Sequence, residues 1–134
     1  MRNKYLLFRL TCCWLLLCII PQDLFSKISV TGPTLSFLTR RIQVLGDIPK
    51  DTVFIREFKF VNKGDAPLVI EEIHKSCSCS EYKINSYTIY PEEEGVLIIT
   101  VDTKARTGMQ EITLHMLANT KERDHIIKII YQVQ

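Results

Sequence analysis

Apolar residues fall at every second position through much of this chain, a spacing that suits a half-buried strand and not a helix. In "QEITLHMLAN", Ile112, Leu114, Met116 and Ala118 share one face, and in "HIIKIIYQV" Ile127, Ile129, Tyr131 and Val133 do the same. "GVLIITVD" sets Leu97, Ile99 and Val101 on one side, while "TVFIREFKFVN" opposes Phe58 and Phe60 to Lys59. In "LVIEEI", Leu68 and Ile70 have one parity and Ile73 the other, so a β-bulge near Glu71 and Glu72 is expected to bring all three to one face. A strand is also expected around Arg41 to Leu45 and another in "YTIYPEEEG". No stretch keeps a helical period over ten residues, and turns such as "NKGDAP" and "RTG" recur every eight to twelve positions. About seven strands in about 108 residues predict an all-β chain, an immunoglobulin-like antiparallel β-sandwich. The Cys…Trp…Cys pattern of antibody domains is absent, because Trp14 lies near the start of the chain.

The first 26 residues read as targeting sequence. "MRNKYLLFR" carries three positive charges, Leu10 to Ile20 is an uninterrupted apolar or small run, Pro21 stops it, and Ser26 is a small residue beyond it. That order predicts a secretory signal peptide, or alternatively an N-terminal membrane anchor, over residues 1–26. Residues 27–134 then form the sandwich domain. The cysteines Cys12 and Cys18 follow Thr11 and Leu17, not the small residue of a lipobox. The chain has a formal charge of +2. Arg2, Lys4, Arg9 and Asp23 account for it, which leaves 14 basic and 14 acidic side chains from residue 27 onward. No basic stripe remains to neutralise phosphates, so nucleic acid is not an expected partner. Export to the periplasm or cell surface is the expected localisation, with membrane contact only through an N-terminal anchor.

Past the leader, Cys77 and Cys79 in "SCSCS" are the remaining thiols. In an extended segment they point the same way, and they can pack as small apolar side chains or pair with each other. Extended residues two apart lie roughly 7 Å apart at Cα, at the upper limit for a disulfide, so pairing requires a bend. A bridge closing so short a loop removes little entropy from the unfolded chain and reduces easily. That lability makes Cys77 and Cys79 a candidate redox or disulfide pair, with Lys75 and His74 close by to favour a thiolate. His74, Cys77 and Cys79 also give three donors within six residues, a set suited to Cu(I). Of the other histidines, His115 is expected on the outer face of its strand, and His125 in a surface pair beside Asp124. The neighbouring carboxylates Glu71–Glu72 and Glu92–Glu94 cannot converge, since adjacent strand residues point opposite ways. No nucleophile elbow, phosphate loop or zinc-protease helix is present.

Taken in order, "GDIPKD", "FKFVNKGDAPLVIEEIHKSCSCS", "IYPEEEGVLIITVDTKARTG" and "ITLHMLANT" resemble the bacterial exported domain-of-unknown-function family 1573. The resemblance runs from about Gly46 to the C-terminus. It rests on Phe58, Phe60, Asn62, Gly64, Pro67, Leu68, Ile70, Ser76, Cys77, Cys79, Pro91, Gly95, Gly108 and Asn119. The chain departs from the pattern at Ser78, where the family has a glycine between the cysteines, at Ser80, and in "PEEEG", which replaces a tight Pro-Gly turn. The family is similar to Hydin-type Ig-like domains, which implies the fold, export and a role as an interaction module, and implies no reaction. The expectation is an exported cell-envelope protein, not an enzyme and with no cofactor, that binds another envelope protein. The alternative is a thiol-redox or copper-binding protein using the Cys-x-Cys pair.

Overall fold

The computed structural model of the chain describes residues 32–134, and the leader or anchor read from residues 1–26 lies outside them. Nine strands make up the described part: β1 (Leu35–Phe37), β2 (Ile42–Ile48), β3 (Val53–Asn62), β4 (Leu68–Lys75), β5 (Ser80–Ile84), β6 (Thr88–Ile89), β7 (Glu94–Asp102), β8 (Gly108–Ala118) and β9 (Asp124–Val133). They form two sheets, ordered β1-β3-β7-β5 and β2-β9-β8-β4-β6. The result is an all-β sandwich, as the alternation predicts. Among the described residues no helix is long and apolar enough to cross a membrane.

Two strands exceed the seven expected, and both have physical reasons to be illegible. β1 has three residues, too few for a period to register. β5, "SEYKI", holds one aliphatic residue and relies on Ser80 and half-buried Tyr82 for its inner face. One pair also departs from the antiparallel rule: β2 runs parallel to β9, with Ile42 opposite Lys128 and Val44 opposite Ile130. Partners so far apart in sequence need no hairpin, and nothing in a strand's own pattern states the direction of its neighbour.

The inner faces are those the sequence marks. Phe58, Phe60, Leu97, Ile99 and Val101 on one sheet meet Leu68, Ile70, Ile73, Ile112, Leu114, Met116, Ile127 and Ile129 on the other, all buried. At about 25 cal/mol per Å² of apolar surface, this interior is the main favourable contribution to folding. The register of β4 against β8 shifts between Ile70 and Glu72. That is the expected bulge, and it turns Ile73 inward beside Ile70.

Buried polar side chains tie the two ends. At one end Asn62 is fully buried. Its Oδ1 accepts from the N–H of Thr34 at 3.2 Å and Gly64 at 3.0 Å, and its Nδ2 donates to Ala66 O at 2.8 Å and Ile89 O at 2.9 Å. A single amide thus joins the start of β1, the β3–β4 turn and β6. At the other end Thr103, also fully buried, accepts the Thr52 N–H at 2.8 Å and sets its hydroxyl 3.0 Å from Pro49 O. That contact docks the β2–β3 turn against the end of β7.

Candidate functional site

The loop carrying the two cysteines crosses from one sheet to the other at the Thr103 end. Ser76 fixes its start on β8: the Ser76 N–H donates to Thr113 O and the Thr113 N–H donates to Ser76 Oγ, each at 2.9 Å. Its far side is fixed on β7, where the Asp102 N–H donates to Cys79 O at 2.9 Å. Between these anchors the chain turns, with the Ser80 hydroxyl donating to Cys77 O at 3.1 Å. The bend shortens the Cys77–Cys79 Cα separation to 5.1 Å, within disulfide range, and the two sulfurs are bonded. Ser78 is not among the residues with positive φ, so the turn forms without the family's glycine.

The two sulfurs have different surroundings. Cys77 Sγ accepts from the Cys79 N–H at 3.1 Å and lies 3.4 Å from Nη2 of Arg106. Cys79 lines an open cleft of about 310 Å³ together with Ser78, Glu81, Thr100, Asp102, Lys104 and Arg106. Lys75 Nζ donates to Ser80 O and to Glu81 Oε1, the latter at 2.7 Å. Asp102 Oδ1 accepts the Lys104 N–H at 2.8 Å. The cleft therefore holds both signs of charge, with its carboxylates engaged and Arg106 turned to sulfur. Nothing in the sequence near "SCSCS" announces Arg106, which stands 29 positions away and arrives through the β7–β8 turn.

The three-donor metal grouping is not formed. His74 is on the exposed face of β4, with Nε2 3.1 Å from a Glu72 carboxylate oxygen, while Cys77 and Cys79 pack against the core. Among the described residues no three His, Cys, Asp or Glu side chains stand close enough to hold a metal ion. The reason is the alternation itself: Ile73 occupies the inner face, so His74 must face out.

His115 is on the outer face as expected, its Nδ1 2.9 Å from Asp124 Oδ2. His125 corrects the expectation of a surface pair. It is buried, with Nε2 2.8 Å from Thr120 Oγ1, and Asp124 pairs with His115 instead. His125 has the same parity as Ile127, which places its ring on the core side; burial holds its pKa below the ordinary histidine value. The bulge leaves both Glu71 and Glu72 exposed; Glu71 meets Arg123 at 2.6 Å, and Glu92 meets Lys63 at 2.7 Å.

A family model described as "Protein of unknown function (DUF1573)" matches residues 35–133. No curated protein matches the chain. Several solved structures share its fold. A protein of unknown function from Porphyromonas gingivalis W83 aligns with a TM-score of 0.66 at 12% identity, over 84% of this chain and 51% of that one. The secreted serine protease VesC from Vibrio cholerae aligns at 0.58 and 12% identity, over 74% of this chain and 23% of that one. A Bacteroides ovatus GH5 xyloglucanase, in complex with a XXXG heptasaccharide, aligns at 0.51 and 17% identity, over 75% and 19%. This chain thus spans about half the length of the first neighbour and under a quarter of the other two. Likeness at these identities concerns the fold alone.

Proposed function

The chain belongs to the DUF1573 family, and on that premise we propose an exported cell-envelope protein that acts as a non-enzymatic interaction module, its docking element the part of the β3 edge that no strand covers among the described residues. The observation that carries this reading is the mismatch between β3 and β1. β3 has ten residues, and β1 pairs only with Phe60–Asn62. The Leu38 N–H donates to Lys59 O at 2.8 Å, so Lys59 turns its main chain away from β7. Register with β7 is continuous, and alternation therefore turns Glu57, Ile55 and Val53 to the same open side.

An open row of backbone donors and acceptors is a template for another strand. The remaining edges are blunted. β2 carries a register shift between Val44 and Asp47, β5 exposes Glu81 and Lys83, and β6 has two residues. On β3 the first outward side chains are apolar, with Val53 60% and Ile55 55% exposed, and the charged Glu57 and Lys59 follow further along. Arg56 Nη1 donates to Ile55 O at 2.8 Å, a side-chain cap that an incoming strand would replace. An extended segment of another envelope protein, apolar at alternate positions, suits this edge. The recurrence of the fold within chains described as a protease and a xyloglucanase fits a module that adds surface to varied proteins. Export is supported by the charged start and apolar run of the first 26 residues.

Affinity capture from envelope fractions tests both halves, using the full chain and a Val53→Lys/Ile55→Lys variant. The native chain is expected in the envelope fraction with a captured protein that the variant loses while keeping its β-sheet spectrum. Identical capture by both forms, or a chain confined to the cytosol, would refute the reading.

A further inference from the structure

We propose that Cys77 and Cys79 form a thiol–disulfide exchange site for a protein dithiol, in which Cys79 Sγ is the sulfur attacked and Cys77 is the thiolate that leaves. The assignment rests on the asymmetry of the pair. Both cysteines are half-buried, and Cys79 is the one that lines the open cleft from which an incoming thiolate can approach. Cys77 Sγ instead holds the two groups that would stabilise a departing negative charge, the Cys79 N–H at 3.1 Å and the Arg106 guanidinium at 3.4 Å. Thiolates are favoured by such donors and cations, and exchange is faster when the leaving sulfur is the more acidic one.

The bridge is also poorly suited to a structural role. It joins residues two apart, so it constrains the unfolded chain little. The loop is held without it. Ser76 is bonded to Thr113 and Cys79 O to the Asp102 N–H, and neither interaction involves sulfur. Reduction therefore leaves the anchors of both cysteines in place, and Arg106 stays positioned for the thiolate that forms.

The reaction runs in two displacements. A substrate thiolate attacks Cys79 Sγ, a substrate–Cys79 disulfide forms, and the Cys77–Cys79 bond breaks with its electron pair leaving on Cys77. The second substrate thiol, once deprotonated, attacks the first substrate sulfur and expels Cys79 as a thiolate. The substrate dithiol is oxidised by two electrons to a disulfide, Cys77–Cys79 is reduced to two thiols, and the two protons released by the substrate end on the two cysteines.

The test uses the full chain with two probes, glutathione and a synthetic dithiol peptide. The Cys77→Ser variant, exposed to oxidised glutathione, is expected to accumulate a mixed disulfide at Cys79 by intact mass and peptide mapping. In the reduced wild type, alkylation of Cys77 is expected to show a pH midpoint about one unit below the ordinary thiol value near 8.5. Arg106→Gln is expected to raise that midpoint and slow oxidation of the dithiol peptide about tenfold, while Arg106→Lys restores part of both. A Cys77 that titrates as an ordinary thiol overturns the proposal. So does a disulfide that the peptide leaves intact, or an Arg106→Gln protein that reacts like the native one. Circular dichroism of each variant separates these outcomes from unfolding. A non-reactive disulfide leaves the β3 edge reading standing, since capture by that edge involves no thiol.

Discussion

The ring of Phe60 lies across Gly95, its cross-strand partner on β7, so closely that a Cβ placed on Gly95 would stand 2.2 Å from the ring's Cζ. Both residues are fully inside the sandwich, Phe60 with no exposed surface. The missing side chain on one strand is the space that the other strand's aromatic fills. Gly95→Ala is therefore an overpacking change, expected to cost about 1–3 kcal/mol. Phe60→Leu alone leaves a cavity and also destabilises. In the Gly95→Ala/Phe60→Leu double variant the two effects offset, so urea midpoints should show a loss smaller than the sum of the singles. Strict additivity would show that the ring and the glycine do not share this space.

Asn62 makes four side-chain hydrogen bonds to main-chain groups from three parts of the chain. Removing a buried partner costs more than the bond is worth when present, because the groups left behind stay desolvated. Asn62→Ala should lower unfolding free energy by about 3 kcal/mol. Asn62→Asp should lose more at neutral pH, since a carboxylate offers no donor to Ala66 O or Ile89 O and buries a charge. Asn119 supplies a milder comparison. Its exposed amide accepts from the Val69 N–H at 2.8 Å and donates to Pro67 O at 3.1 Å. Asn119→Ala is expected to cost about 1 kcal/mol, and equal losses at both sites would contradict the role given to burial.

These two asparagines and Gly95 show what the sequence carried and what it withheld. Alternation in β3, β7, β8 and β9 marked the inner faces correctly, because a two-residue period is local and each strand states its own. The bulge between Ile70 and Glu72 was legible for the same reason, as a break in parity. The partner of each strand is not local. The parallel β2–β9 pair, the reach of Arg106 to Cys77 and the His115–Asp124 pairing all depend on where distant segments meet. Asp124 adjoins His125 in sequence but pairs in space with His115, so a sequence neighbour does not name a ring's partner.

The turn entering β7 carries a residue in a conformation that favours glycine. The Glu93 N–H donates to Tyr90 O at 3.0 Å, Pro91 takes the second position, and Glu92 takes the third with φ of 65°. That is the arrangement of a type II turn, whose third position suits glycine. Glu92→Gly should stabilise the protein by roughly 0.5–1 kcal/mol, net of the freedom glycine gains when unfolded. Glu92→Ala removes the exposed ion pair with Lys63 but keeps the strained φ, so it should change stability by less than about 0.5 kcal/mol. If Ala and Gly stabilise equally, relief of the backbone is not the cause.

Tyr131 lies inside the sandwich with its ring edge-on to Phe54 at 5.2 Å, and its hydroxyl is buried without a hydrogen-bond partner among the described residues. An unpartnered buried hydroxyl costs stability, so Tyr131→Phe is expected to be neutral or to stabilise by about 1 kcal/mol. Burial also raises the phenol's pKa above 10.0, with Arg106 pulling the other way. Above that pH the unfolded chain loses the proton while the folded one keeps it, and stability falls as pH rises. The Phe variant should show a shallower alkaline decline in thermal midpoint; an unchanged decline would assign it to other groups.

His125 gives the opposite, acidic limb. Desolvation is the main cause of its lowered pKa; Arg41 adds to it, and the carboxylates of Glu122 and Asp124 oppose it. The unfolded chain takes up a proton near the ordinary value of 6.5, and the folded chain does so only at lower pH. Between those two values the unfolded state binds more protons, so stability declines as pH falls below about 6.5 and is unaffected by this group above it. His125→Gln keeps a polar side chain facing Thr120 and removes the titration. Urea midpoints measured from pH 7 to pH 5 should fall for the native chain and stay flatter for the variant. Parallel curves would show that the imidazole takes up its proton in the folded state as readily as in the unfolded one.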